Sequence, residues 1–379
     1  MNRKEDATMI NRQRMIDQLL ELVQIDSPSG KEGAVAKRLE EILTGLGMTV
    51  TFDNIHEKLG TETGNLIATL KGTTQGIPIL FSSHMDTVQQ PGESVKPVID
   101  GDTIKSDGST ILGSDDKAGI TAFIEAITVI KENNLPHGDI QAVFTIWEEG
   151  GLFGSKYLDY SLVKAERAFV LDSGGPIGSV TNQGPAQDKI EAVFKGKAAH
   201  AGVAPEEGIS AIMMAAKAID NMKLLRIDEE TTANIGVIEG GKATNIVTPE
   251  VKIVAEARSL RNDKLDAQTS HMVQAMEEAA KAFGGTVEIK TERLYTAFKV
   301  EKDAPLVKKV EEVFAAMGIE PKIEASGGGS DTNHFNNNGV PAINLSVGMD
   351  KAHTLEENIK IADLVKAGEM VVEIIKAHG

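Results

Sequence analysis

The sequence predicts an α/β protein: a mixed-sheet domain interrupted by a smaller α+β domain of ferredoxin-like order. Three observations predict it. At 379 residues the chain exceeds what one hydrophobic core usually supports. Short apolar runs bounded by turn residues alternate with stretches of helical periodicity. The middle third breaks that alternation and reads β-α-β-β-α-β, the split arrangement of ferredoxin-like units.

The elements follow in order. Ile16, Leu19, Leu20 and Val23 form one apolar stripe and predict a first helix. Ser29 and Glu32 have capping-box spacing and predict the start of a second helix through Ala34, Val35, Leu39, Ile42 and Leu43. After Gly47 come the runs 65–70, 78–81, 140–146, 168–171 and 342–347, apolar enough to be strands buried on both faces, with helical stretches such as 118–132 between them. In the middle, strands are expected at 190–194, 235–238, 251–257 and 286–290, and helices at 210–222 and 265–283. The expected inserted domain spans 183–294, and residues 1–182 and 295–379 form the larger domain.

Composition excludes several classes. A formal net charge of −17 disfavours a nucleic-acid backbone or an anionic membrane surface as partner. With no cysteine there is no disulfide, thiolate metal site or cysteine nucleophile. No apolar run is long enough to cross a bilayer, and the first residues lack the apolar core of a signal peptide, so a cytoplasmic location is expected.

Chemistry concentrates at the ends of the predicted strands. His84 and Asp86 follow the run 78–81, Glu148 and Glu149 follow 140–146, Asp172 ends 168–171, and His353 follows 342–347. Asp115 and Asp116 open the helix through Ile120 and Phe123. Carboxyl ends of strands converge on the ligand crevice of an open α/β sheet, so residues distant in sequence can meet there. Imidazole and carboxylate without sulfur suit zinc, cobalt or manganese. His56, His137, His271 and His378 read as surface or core histidines.

Six segments carry a resemblance: HMDTV (84–88), GSDDKAG (113–119), EEGG (148–151), LDSG (171–174), GKAAHAG (196–202) and AHT (352–354). Their order resembles that of the co-catalytic zinc exopeptidases, which include peptidase T, carboxypeptidase G-type enzymes and aminoacylases. The match runs from about residue 10 to the C-terminus and is most similar to the peptidase T branch.

The resemblance implies two metal ions per chain, zinc with cobalt or manganese as alternatives. It implies that Asp115 bridges them, with His84 and Asp172 completing one site and Glu149 and His353 the other. Glu148 would be the general base and Asp86 would orient His84. A cis peptide would join Asp115 and Asp116. His200 would stabilise the tetrahedral oxyanion, Asn245 and Arg258 would bind substrate, and the glycine run 327–330 would offer backbone amides near the site. A homodimer through the inserted domain is implied as well. The leading expectation is a tripeptide aminopeptidase. An N-acyl-amino-acid amidohydrolase or a dipeptidase uses the same machinery, and an inactive peptide-binding scaffold is the non-enzymatic alternative.

Overall fold

A computed structural model describes residues 9–379. The chain divides into two compact units. One comprises the chain up to Gln183 together with Lys299–Ser326 and Ser330–Gly379, and the other comprises Gly184–Phe298 with Gly327–Gly329. The second unit thus extends past the expected end at residue 294. It also takes in most of the glycine run that the sequence reading assigned to the larger domain. The reason is local: a Cβ on Gly329 would stand 2.3 Å from the Tyr295 ring, so only a bare backbone fits against that tyrosine.

In the first unit a nine-stranded sheet runs in the order Thr49–Phe52, Leu66–Leu70, Ile140–Thr145, Ile79–His84, Arg167–Ser173, Ala342–Ser346, Ser179–Gly184, Phe298–Lys299, with Lys322–Ala325 pairing beside Ser179–Gly184. The four strands from Ile140–Thr145 to Ala342–Ser346 are mutually parallel, and the pairings outward from Leu66–Leu70 and Ser179–Gly184 include antiparallel ones. Parallel strands covered on both faces must be apolar throughout, which is why these runs were visible in the sequence. The strand Ile79–His84 continues three residues past its apolar run because Ser82, Ser83 and His84 are also buried; Ser82 Oγ donates to the Val143 carbonyl at 2.9 Å. From this strand the chain passes to its neighbour Ile140–Thr145 on one side, then to Arg167–Ser173 on the other. That reversal opens a crevice at the strands' carboxyl ends.

The helix Ser114–Glu132 is buried along nearly its whole length and packs with Arg12–Val23 and Ile361–His378. A small antiparallel sheet of Met349–Asp350, Asn358–Lys360, Thr103–Ser106 and Pro97–Asp100 holds the turn 351–357. The predicted capping box does not form. The second helix is Gly33–Gly45 and its N-cap, Glu32, makes no side-chain cap bond. Instead Ser29 Oγ donates to Asp86, and Glu32 Oε1 accepts the N–H groups of Gly30 and Trp147, so both side chains serve the crevice rather than the helix. His137 and His378 are buried, each with Nδ1 on a main-chain carbonyl.

Within the first unit Asn182 and Val300 face each other across the sheet. The Val300 N–H donates to the Asn182 carbonyl at 2.8 Å, and Asn182 Nδ2 donates back to the Val300 carbonyl at 2.6 Å.

The second unit is an antiparallel sheet in the order Leu225–Arg226, Thr231–Gly240, Glu250–Ser259, Ala186–Lys195, Thr286–Tyr295. Helices Ala211–Asn221 and Asn262–Ala282 complete the expected β-α-β-β-α-β order, apart from the two-residue strand. Alternate residues Ile190, Ala192 and Phe194, with Ile253, Ala255 and Ala257, form its core with Met214, Met272 and Met276.

Candidate metal centre

His84 ends its strand and is 2% exposed. Its Nδ1 donates to the Asp86 backbone carbonyl at 2.9 Å. Nε2 is thereby directed at Asp115 Oδ1, 3.1 Å away, and Asp172 Oδ1, 3.6 Å away, to which it donates when protonated and beside which it offers a lone pair to a cation when not. Asp172 stands on the next parallel strand, where its N–H donates to Asn344 Oδ1 at 3.0 Å.

Asp115 opens the long helix with non-helical backbone angles, and the Asp115–Asp116 peptide is cis. Its two oxygens face opposite ways. Oδ1 meets His84, and Oδ2 lies 3.1 Å from Nε2 of His353, which is also 2.8 Å from Glu149 Oε1. One carboxylate therefore joins two groups, His84 with Asp172 and His353 with Glu149. His353 sits in the turn 351–357 at φ +65°, with its side chain half-exposed.

The backbone carbonyl of Asp86, rather than its carboxylate, makes the close contact with His84; the carboxylate is 3.5 Å from Nδ1. That carboxylate instead accepts the N–H of Glu148 at 2.9 Å, the N–H of Glu149 at 3.2 Å and Ser29 Oγ at 2.6 Å. It fixes the turn on which both glutamates stand. The turn is held again from behind by Asp331, which accepts Thr145 Oγ1 and Ser155 Oγ, each at 2.5 Å. Neither this role of Asp331 nor that of Glu32 was legible, because each accepts from partners far away in sequence.

Asp116 is a further addition. Ligand-capable atoms of His84, Asp116 and Asp172 lie within 4.8 Å of one another, as do those of His84, Asp115 and Glu149. The sequence reading set Asp116 beside Asp115 at the start of the helix and gave it no ligand role. The closing glycine of GSDDKAG also has a reason. A Cβ on Gly119 would lie 2.4 Å from the Leu171 carbonyl and 2.5 Å from both Ser83 Oγ and Asp116 Oδ1. Only glycine lets the helix approach the strands this closely.

The electrostatics call for cations. Burial, with Asp172, Glu149 and Asp331 nearby, pushes Glu148 well above the usual carboxylate range. Burial and the neighbouring carboxylates lift Asp172 to about 7, and burial and Asp172 raise Asp116. For His84, burial disfavours the charged form, but hydrogen bonds to Asp115, Asp172 and Asp86 outweigh it and hold the imidazole well above its ordinary value. Asp115 and Glu149 lift His353 to about 10. Asp116 Oδ2 is buried with no hydrogen-bond partner among the described residues. Crowded carboxylates, an orphaned buried oxygen and imidazoles aimed at them fit divalent cations, and the N/O donor set suits zinc, manganese or cobalt.

In the second unit His200 is exposed and its Nδ1 accepts the Gly202 N–H at 3.2 Å. Asn245 is exposed, and its carbonyl accepts the Ala201 N–H at 2.9 Å. The Arg258 guanidinium is bound by Glu256 through Nε at 3.1 Å and Nη2 at 3.0 Å.

An open α/β sheet with a shared aspartate between imidazole–carboxylate pairs at its strand ends defines a metal-dependent hydrolase. The family model of peptidase family M20/M25/M40 matches residues 80–377, and the chain belongs to that family. Among its relatives is the uncharacterised Bacillus subtilis protein YqjE, 48% identical over 97% of this chain and 99% of that one. The crystal structure of aminopeptidase PepT from Bacillus cereus superposes with a TM-score of 0.90 at 46% identity, covering 98% of this chain and 99% of the other. That of a tripeptidase from Staphylococcus aureus does so with 0.94 at 42%, covering 97% and 99%. No helix among the described residues is long and apolar enough to cross a membrane.

Proposed function

We propose that this metallopeptidase is a tripeptide aminopeptidase with two zinc ions per chain, a reading carried by the Asp115 carboxylate that faces His84 with one oxygen and His353 with the other. The aminopeptidase and tripeptidase relatives support the substrate class. In this reading His84, Asp115 and Asp172 would hold one ion and Asp115, Glu149 and His353 the other. Two divalent cations held there would polarise the scissile carbonyl and acidify the attacking water.

The remaining chemistry belongs to the chain. Glu148 takes a proton from the attacking water and returns it to the leaving amine, a role suited to a buried carboxylate whose proton affinity is raised. Asp86 keeps that carboxylate in place by anchoring the Glu148 and Glu149 N–H groups. His200 stabilises the tetrahedral oxyanion, and its exposure suits a group that must meet a ligand. Asn245 and Arg258 bind polar groups of the substrate, Arg258 exchanging its bond to Glu256 for a carboxylate of the peptide.

The same reading makes the protein a cytoplasmic homodimer through the unit 184–298. The short strand Leu225–Arg226 covers only Thr232 and Ala233 of Thr231–Gly240. Val237 and Ile238 beyond it are exposed apolar side chains on an unpaired strand edge, and Ile212 and Met213 of Ala211–Asn221 are exposed apolar side chains of the same unit.

The decisive experiment combines elemental analysis of the metal-replete protein with a panel of di-, tri- and tetrapeptides and N-acyl amino acids. Two ions per chain and release of the N-terminal residue from tripeptides are expected. Preference for N-acyl amino acids would make the protein an amidohydrolase, and fewer than two ions would overturn the mechanism.

A further inference from the structure

Glu357 follows four residues after His353 on the same turn and is 1% exposed. Its carboxylate accepts from four consecutive residues of a distant segment. Oε2 takes the N–H groups of Leu112 at 3.0 Å and Gly113 at 2.9 Å, while Oε1 takes Ser114 Oγ at 2.6 Å and the Asp115 N–H at 3.1 Å. The four donors match the acceptor capacity of one carboxylate.

The arrangement acts at two levels. The helix Ser114–Glu132 has Gly113 at its N-cap and no side-chain cap of its own. First-turn N–H groups without intrahelical partners need an acceptor, and an anion at that end is favoured by the helix dipole. Glu357 supplies an acceptor from more than two hundred residues away, and because Asp115 and Asp116 have non-helical angles it holds the irregular entry to the helix rather than a regular first turn. A cap alone would only stabilise the helix. Here the capped segment ends in Asp115, and the residue providing the cap shares a turn with His353. The turn is tightened by the Glu357 N–H on the Thr354 carbonyl and continues into Asn358–Lys360, which pairs with Thr103–Ser106. Asp115 and His353 are far apart in sequence and stand 3.1 Å from each other, and the Glu357 side chain links the two segments that carry them.

We infer that Glu357 is a positioning residue for the dinuclear centre: it sets the separation of Asp115 and His353 and thereby the affinity of the ion they share with Glu149. The inference rests on the two-metal reading above. Glu357→Gln keeps the size of the side chain but turns one acceptor oxygen into an amide that faces donors.

The test is a cobalt(II) titration of metal-free wild type and Glu357→Gln, followed by visible absorption and calorimetry, with metal-free melting temperature recorded beside it. In the variant, one ion binds as in wild type while the other weakens by about tenfold or more, with an altered cobalt spectrum, the range seen when groups behind metal ligands are changed. Binding of both ions with wild-type affinity and spectrum, whatever the change in melting temperature, reduces Glu357 to a helix cap and overturns the inference. Should Glu357→Gln fail to fold, Ser114→Ala removes one of the four contacts; a smaller loss confined to the same ion supports the inference, and unchanged affinity overturns it. Fewer than two ions in wild type overturns the two-metal reading and the inference together, an outcome distinct from two ions in both proteins.

Discussion

The Asp86 carboxylate accepts the backbone N–H of Glu148 at 2.9 Å, joining positions 62 residues apart. It thereby couples the strand end that carries His84 to the turn that carries Glu148 and Glu149. Asp86→Asn retains one acceptor but sets an amide against a backbone N–H. Metal affinity and kcat are expected to fall by about 10–100-fold, as for groups that orient metal ligands. Metal titration and steady-state kinetics check this, and wild-type values in both would leave the carboxylate without this role.

Glu148→Gln keeps the shape of the turn and removes the proton acceptor. A kcat reduced by about 10²–10⁴-fold with full metal content is the expected result, from the size of general-base effects. Loss of metal would place Glu148 among the ligands instead.

Gly119→Ala brings a Cβ within 2.4 Å of the Leu171 carbonyl, which is backbone and cannot swing aside. Forced overpacking of this kind costs about 1–3 kcal/mol. A lowered melting temperature of the metal-free protein measures it, and an unchanged one would mean the helix can withdraw from the strands freely.

Glu32 carries a pH signature. Burial, with the charge of Asp86, raises its carboxyl from the usual 4.5 to about 7. Between those values the native chain holds a proton that the unfolded chain releases, so this group's contribution to stability falls as pH rises through the window and levels off above it. In Glu32→Gln the Oε1 bonds to Gly30 and Trp147 persist and the titration disappears. Melting curves of metal-free protein should show the variant gaining on wild type from pH 4.5 to 7.5; a pH-independent difference would contradict the assignment.

Much of this was legible for a physical reason. Parallel strands covered on both faces must be continuously apolar, and the segments 140–146 and 342–347 matched observed strands to within a residue. The second unit showed itself by changes of period, and its helix expected over 210–222 is Ala211–Asn221, capped by Ser210, which accepts the Met213 N–H. Short strands such as Met349–Asp350 and Asn358–Lys360 have too few residues to show a period. Ser29 and Glu32 misled because capping-box spacing is a local signal, and here distant partners, Asp86 and Trp147, outcompeted the helix for those side chains. His84, Asp115, Glu149, Asp172 and His353, singled out through strand-end position and motif order, do come together in the structure. Asp331 and Glu357 were not, since a buried carboxylate that serves distant N–H or O–H groups looks in sequence like any surface acid.

Asn182 and Val300, bonded to each other at 2.8 and 2.6 Å, mark where the main chain leaves the first sheet and where it returns. To that sheet the long excursion between them is one closed loop whose ends lie a strand's width apart. Closing a longer loop costs only ~0.6 kcal/mol for each doubling of its length. The length of the excursion can therefore drift at little entropic cost to the sheet.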